Sequence, residues 1–170
     1  MTTTNWAQVL PSEIGSGQQL VNWGIVSTTS TGAGIIPAGI TTDNLWYLTQ
    51  PDSSAPAATN SVAASTTYPS DCNSATDGEI CIAQTSSAQM EVQYTNETSN
   101  SIIGHLELSL NNSQCAPGTL LADSPTETIP GGYVLTMTYD GVNDVQNVGT
   151  IWEGQDSGPY HNYGNVCITP

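Results

Sequence analysis

The chain contains no lysine and no arginine, and this absence excludes more than any motif it carries. Nucleic-acid binding depends on those side chains to neutralise phosphates. Attraction to an anionic lipid surface depends on them as well. A phosphate-cradling P-loop needs a lysine, and G-x-x-x-x-G-K-[ST] does not occur. Charged residues make up only 9% of the chain, against about 25% in ordinary domains. All of that charge is acidic: 15 Asp and Glu give a formal net charge of -15 at pH 7. Phenylalanine is missing too, so a core has to be built from aliphatic residues, Tyr and Trp. No stretch is apolar enough for a signal peptide or a membrane helix. A secreted setting therefore implies a leader already removed or another export route.

The same absences predict behaviour in acid. Carboxylates titrate near 4, so the self-repulsion of the chain fades as pH falls. Only His105, His161 and the amino terminus remain to carry positive charge. The protein is expected to tolerate acid, and it offers trypsin no cleavage site.

What is present points to a disulfide-stapled β protein. The 170 residues suit a single domain spanning 1–170, and the hydrophobic fraction of 37% supports a core. Four cysteines, Cys72, Cys81, Cys115 and Cys167, contain no C-x-x-C. An even number in a chain rich in Ser, Thr and Asn indicates disulfides and an extracellular setting. Three pairings are open. Cys72–Cys81 with Cys115–Cys167 is favoured, because it closes one short loop and ties the last strand to the middle of the chain. Zinc is not expected at this spacing, and no cofactor or metal is assigned. Two sequons, at Asn96 and Asn111, are candidate glycosylation sites.

Helix signals are scarce, and the apolar pattern runs with period two. Met90 to Tyr94, His105 to Leu110 and Tyr133 to Tyr139 alternate most clearly. Val148 to Glu153 and Asn165 to Thr169 follow, with Val148, Thr150 and Trp152 on one face. Earlier, Val21, Trp23 and Ile25 share a face. Leu45 to Leu48 and Ile80 to Ala83 are continuously apolar, as in strands covered on both sides. The expected fold is all-β: an antiparallel β-sandwich, jelly-roll-like, of eight to ten short strands with little helix. Residues 1–18 read as an N-terminal extension or donor strand, and 50–72 as a long Ser/Thr/Ala/Pro-rich loop. The segments Ile36-Pro37-Ala38-Gly39 and Ile129-Pro130-Gly131-Gly132 read as two sandwich corners. In each, proline sets φ and glycine permits the turn.

The search for chemistry is largely negative. G-x-S-x-G and H-E-x-x-H are absent. His105 alternates out of a leucine face and is expected on a solvent-facing strand surface, which disfavours a Ser-His-Asp triad through it. Glu91 and Glu107 sit on polar faces of strands that could pair, which makes them a candidate glycosidase pair. The segment beginning Asp140-Gly141 lacks a ligand at Val142 and reads as a turn rather than a calcium loop. The best binding candidate is "IWEGQDSGPYHNYGN", which gathers Trp152, Glu153, Asp156, Tyr160, His161 and Tyr163. Aromatic rings among short polar side chains suit sugars or quaternary ammonium head groups.

The run "VQYTNETSNSIIGHLELSL", followed later by "TETIPGG", resembles small secreted β-sandwiches that bind membranes, the aegerolysins and related bacterial insecticidal proteins. A strand, an Asn/Thr turn, a second strand and an I-x-P-G-like lead-in are shared. The family's cysteine and charge patterns are not reproduced, and no site residue is carried over. The resemblance implies a secreted module for glycans or lipid head groups. Composition alone is similar to that of extracellular filament and spore-appendage subunits, in which jelly-roll units accept a neighbour's strand. The leading expectation is accordingly a non-enzymatic, self-assembling protein of a cell surface or extracellular fibre, whose partner is itself. Trp6, Val9 and Leu10 are the anchors expected of its donor strand. A glycan or lipid-head-group binder is the alternative, and a carboxylate-based hydrolase the second alternative.

Overall fold

A computed structural model describes residues 18–25, 27–28, 45–51, 68–85, 89–111, 114–140, 146–154 and 158–168. These form an all-β fold of two antiparallel sheets, with no helix among the described residues. The strands are β1 (Gln18–Ile25), β2 (Ser27–Thr28), β3 (Leu45–Pro51), β4 (Ser70–Ala75), β5 (Gly78–Gln84) and β6 (Gln89–Asn96). They continue with β7 (Ile102–Asn111), β8 (Pro117–Asp123), β9 (Glu127–Ile129), β10 (Val134–Asp140), β11 (Asn147–Glu153) and β12 (His161–Ile168). The first sheet runs β1-β3-β10-β6-β5-β4, and the second β12-β11-β7-β8-β2, with β9 also on β7. All eight segments with clear apolar patterning are strands. The expected eight to ten strands become twelve because β2, β4, β8 and β9 add to them.

Alternation builds the core. Met90, Val92 and Tyr94 on β6 face Leu106 and Leu108 on β7, with Leu135, Met137, Ile80, Ile82, Ile151 and Val166 around them in one cluster. Fully burying each such side chain is worth about 1.5–3 kcal/mol. That cluster takes residues from both sheets, and Cys81 and Ala83 form a second, smaller one. Tyr94 takes the place of the missing phenylalanine, burying its ring and donating its hydroxyl to Thr76 O at 3.0 Å. Gly149 allows the sheets to approach, since a Cβ there would meet Val92 Cγ1 at 2.8 Å.

The middle of the first sheet is buried on both faces. Leu45, Tyr47 and Thr49 on β3 alternate with Trp46 and Leu48, yet all five are buried. On β10, Val134, Thr136 and Thr138 are as inaccessible as Leu135 and Met137. The apolar run at Leu45 to Leu48 is the doubly covered strand that its sequence predicts.

The two disulfides pair as favoured from the sequence, Cys72 with Cys81 and Cys115 with Cys167. They are the mark of an oxidising environment. No helix among the described residues is long and apolar enough to cross a membrane. β3 runs through Pro51 and β4 opens at Ser70, so strands occupy both ends of the 50–72 segment. Residues 52–67, the donor-strand anchors Trp6, Val9 and Leu10, and the corner at Ile36 to Gly39 lie outside the described residues.

The corner at Ile129 to Gly132 is tied down by Asn96. Its Nδ2 donates to Ile129 O at 2.9 Å and to Asn100 O at 2.7 Å. Its Oδ1 accepts from Thr98 N–H at 3.0 Å and from Thr98 Oγ1 at 2.9 Å. The main chain adds a bond from Gly132 N–H to Asn96 O at 2.7 Å, with Gly132 in the left-handed region at φ 79°. This corrects the reading of Asn96 as a glycosylation site. The residue is 0% exposed and both amide hydrogens are committed, so no glycan fits on that nitrogen. The side chain of Asn111, at the end of β7, lies outside the described residues.

Candidate functional site

The second sheet turns a polar row outward. On β7, Leu106 and Leu108 point into the core, which sends His105, Glu107 and Ser109 to the opposite face. The pairing with β11 sets Trp152 opposite His105 and Thr150 opposite Glu107. On the other side of β7, Glu107 stands opposite Asp123 of β8. Directly opposed residues have Cβ atoms about 4.5–5.5 Å apart, close enough for these side chains to interact.

Ser124 extends this arrangement past the end of β8. Its N–H donates to Leu106 O at 2.9 Å, and its Oγ accepts the Leu106 N–H at 2.9 Å. The serine thus fills the gap between β8 and β9, which lie end to end along β7. Thr126 and Asp123 are held on either side of that splice.

Five side chains, His105 and Glu107 of the row among them, link into one network. The Trp152 indole N–H donates to Glu107 Oε2 at 2.7 Å, and His105 Nε2 lies 3.4 Å from Glu107 Oε1. Tyr160 meets the His105 ring edge to face, with centroids 4.7 Å apart and planes at 78°. The Tyr160 hydroxyl lies 3.4 Å from Thr126 Oγ1. His105 does sit on the outward face, as its alternation predicts, but it is not solvent-facing: only 7% of it is exposed. The ring of Tyr160, itself 37% exposed, packs against it instead. The Nδ1 of His105 is buried without a hydrogen-bond partner, and among the described residues no hydroxyl bonds to the ring.

Burial pushes the Asp123 carboxyl above its ordinary range; the nearby Glu107 charge adds to this, and His105 opposes it.

The six residues proposed from the sequence separate. Trp152 and Tyr160 come together, joined by His105, Glu107, Asp123 and Thr126. A bulge between Ile151 and Trp152 pairs Trp152 with Asn162 and Ile151 with Gly164, leaving Tyr163 between them. Tyr163 packs against the core, where burial and the charges of Glu153 and Asp77 raise its phenol pKa. His161 is exposed opposite Glu153, and Asp156 lies outside the described residues. Asp123 and Thr126 escaped the sequence reading, since neither β8 nor β9 carries an alternating pattern.

The candidate glycosidase pair does not form. Glu91 lies on β6 in the first sheet and Glu107 on β7 in the second, each on the outward face. Facing sheets are about 10 Å apart at the backbone, and these side chains point away from each other. The carboxylates are therefore farther apart than the roughly 5–9.5 Å that glycoside hydrolysis uses.

No known protein family, characterised protein or solved structure matches the chain. The aegerolysin resemblance thus rests on turn chemistry alone.

Proposed function

We propose that the protein is a structural subunit that assembles with copies of itself through strand addition in an extracellular or cell-surface setting. The observation that carries this reading is β1, the terminal strand of the first sheet among the described residues. Its eight residues, QQLVNWGI, contain no charge and no proline. Proteins usually blunt such edges with lysine, proline or inward charge, because an open edge recruits other strands. Here one bulge, between Leu20 and Asn22, is the only such device on the strand, and Val21 is 49% exposed. The two disulfides and the charge-poor composition suit a durable extracellular unit, and the donor strand sought in residues 1–14 is its natural complement.

Val21→Lys tests the edge directly. The substitution places the chain's first lysine on an exposed position and leaves the core untouched. Negative-stain electron microscopy at neutral pH and near pH 4 is expected to show ordered assemblies for the wild type and dispersed particles for Val21→Lys. Deleting residues 1–14 is expected to have the same effect while the sheet signal in circular dichroism persists. Dispersed wild-type particles at both pH values would end this reading.

One observation favours a second reading, a module for glycans or quaternary ammonium head groups. The exposed ring of Tyr160 packs on His105, and the Trp152 indole bonds Glu107, which stands opposite Asp123. Liposome pull-down with phosphatidylcholine vesicles, together with a glycan array, tests it. Binding lost in Tyr160→Ala supports it, and silence in both assays removes it.

A further inference from the structure

Cys72 and Cys81 are direct partners in the β4–β5 hairpin, and Glu79 precedes Cys81 by two residues on the same face. The two sulfur atoms and a Glu79 carboxylate oxygen all lie within 4.8 Å of one another. Cys81 Sγ is 3.7 Å from Glu79 Oε2. Cys72 is exposed at the edge of the sheet, whereas Cys81 is buried beside it.

Backbone pairing holds these three groups together independently of the S–S bond. The hairpin is in register from Ser70 with Ala83 to Ala75 with Gly78. Thr76 N–H donates to Tyr163 O at 2.7 Å, Gln84 N–H to Pro69 O at 2.9 Å and Asn73 Nδ2 to Asn165 O at 3.0 Å. The Cys72–Cys81 bond spans a sequence separation of 9, within a loop that the hairpin has already closed. Cys115–Cys167 spans 52 and brings together segments that no tight turn joins. A cross-link exposed at one cysteine, Cys72, that duplicates existing pairing can open without dismantling the sheet.

We propose that the Cys72–Cys81 bond is reducible and that its dithiol form, with Glu79, binds a thiophilic divalent cation such as Zn²⁺ or Cd²⁺. An external dithiol supplies the two electrons and two protons. One of its thiolates attacks a sulfur of the pair, the S–S bond breaks, and its second thiol resolves the mixed disulfide. The reagent leaves as a cyclic disulfide, and Cys72 and Cys81 remain as thiols. Metal binding then releases both thiol protons to water. Two thiolates at about 2.3 Å and one carboxylate oxygen at about 2.0–2.2 Å fill three tetrahedral positions, with solvent at the fourth. Sulfurs at that bond length sit about 3.8 Å apart around one metal, against a Cα–Cα distance of 4.1 Å between Cys72 and Cys81. The acidic chain concentrates cations near the site. The proposal goes beyond the assembly reading and does not depend on it.

The test uses the full chain, first oxidised and then treated with dithiothreitol and freed of reagent without air. Cd²⁺ is the probe, followed by its ultraviolet thiolate-to-cadmium absorption, with circular dichroism and a thiol count in parallel. The reduced protein is expected to bind one Cd²⁺ per chain with its sheet signal intact, and the oxidised protein none. Glu79→Gln is expected to weaken binding by at least about tenfold, the loss typical even of groups behind the ligands. Cys72→Ser/Cys81→Ser is expected to abolish the absorption. Three results overturn the proposal: no absorption after reduction, equal absorption in the double serine variant, or collapse of the sheet when the bond opens.

Discussion

Replacing Asn96 by alanine tests whether a side chain, rather than the glycine and proline beside it, holds the corner. The substitution keeps the backbone bonds to Gly132 and Tyr133 but removes four side-chain contacts. The Ile129 carbonyl lies in a buried setting and loses a donor, which costs about 1–3 kcal/mol. The three partly buried bonds contribute roughly 0.5–1.5 kcal/mol each, though not all additively. The expected loss is about 3–5 kcal/mol. Thr98→Ala erases the same sequon but touches only the Thr98 hydroxyl contacts, and about 1 kcal/mol is expected. Urea unfolding followed by tryptophan fluorescence separates the two. With a slope of about 2 kcal/mol/M, Asn96→Ala should lower the midpoint by roughly 1.5–2.5 M and Thr98→Ala by about 0.5 M. Equal midpoints for the two variants, or a loss below about 1 kcal/mol for Asn96→Ala, would refute the clamp.

The disulfides should differ in worth. Loop closure over separations of 52 and 9 predicts losses of about 4 kcal/mol for Cys115→Ala/Cys167→Ala and about 2.6 kcal/mol for Cys72→Ala/Cys81→Ala, with the second reduced further by the hairpin. Thermal unfolding of both double variants checks the order. Burial raises the folded-state pKa of Asp123 and of Glu127 above the ordinary carboxylate range. Their ionised forms are therefore disfavoured in the fold, and stability should rise as pH falls from neutral towards that range. Melting temperatures between pH 7 and pH 4.5 test this, Asp123→Asn should flatten the rise, and a steady fall would contradict it. Gly132 has φ 79°, so Gly132→Ala should cost about 1–2 kcal/mol in the same urea assay.

Strands with strong alternation were legible because burial on one face leaves a period-two trace. Met90 to Tyr94 and His105 to Leu110 show this. β4, with SDCNSA, left no trace because it is an edge strand exposed along most of its length. β8 opens on Pro117-Gly118, which reads as a turn until its pairing with β7 is known. In β10 the pattern misled in a different way. Thr136 and Thr138 alternate with Leu135 and Met137, yet both sets are buried, and Thr138 Oγ1 accepts the Leu45 N–H at 3.2 Å. The outward direction of His105, Glu107 and Trp152 followed from alternation. Their meeting did not, because it depends on the β7–β11 register and on where the chain returns with Tyr160. The separation of Tyr163 from Trp152 depends on a bulge that carries no residue signature.

The placement of β3 has a consequence for the order of events during synthesis. Its apolar run, Leu45-Trp46-Tyr47-Leu48, finds its central partner only in β10, and the bond from Leu45 to Thr138 spans 93 positions. At about 5–20 residues per second, the ribosome needs roughly 5–20 s to deliver that partner. Over the same interval the local meander β4–β5–β6 can already pair. The two ends of the first sheet, β1–β3 and β4–β5–β6, are thus available for pairing before β10 arrives to join them. A chaperone that shields a short aromatic-aliphatic segment, or export before folding, fits that delay.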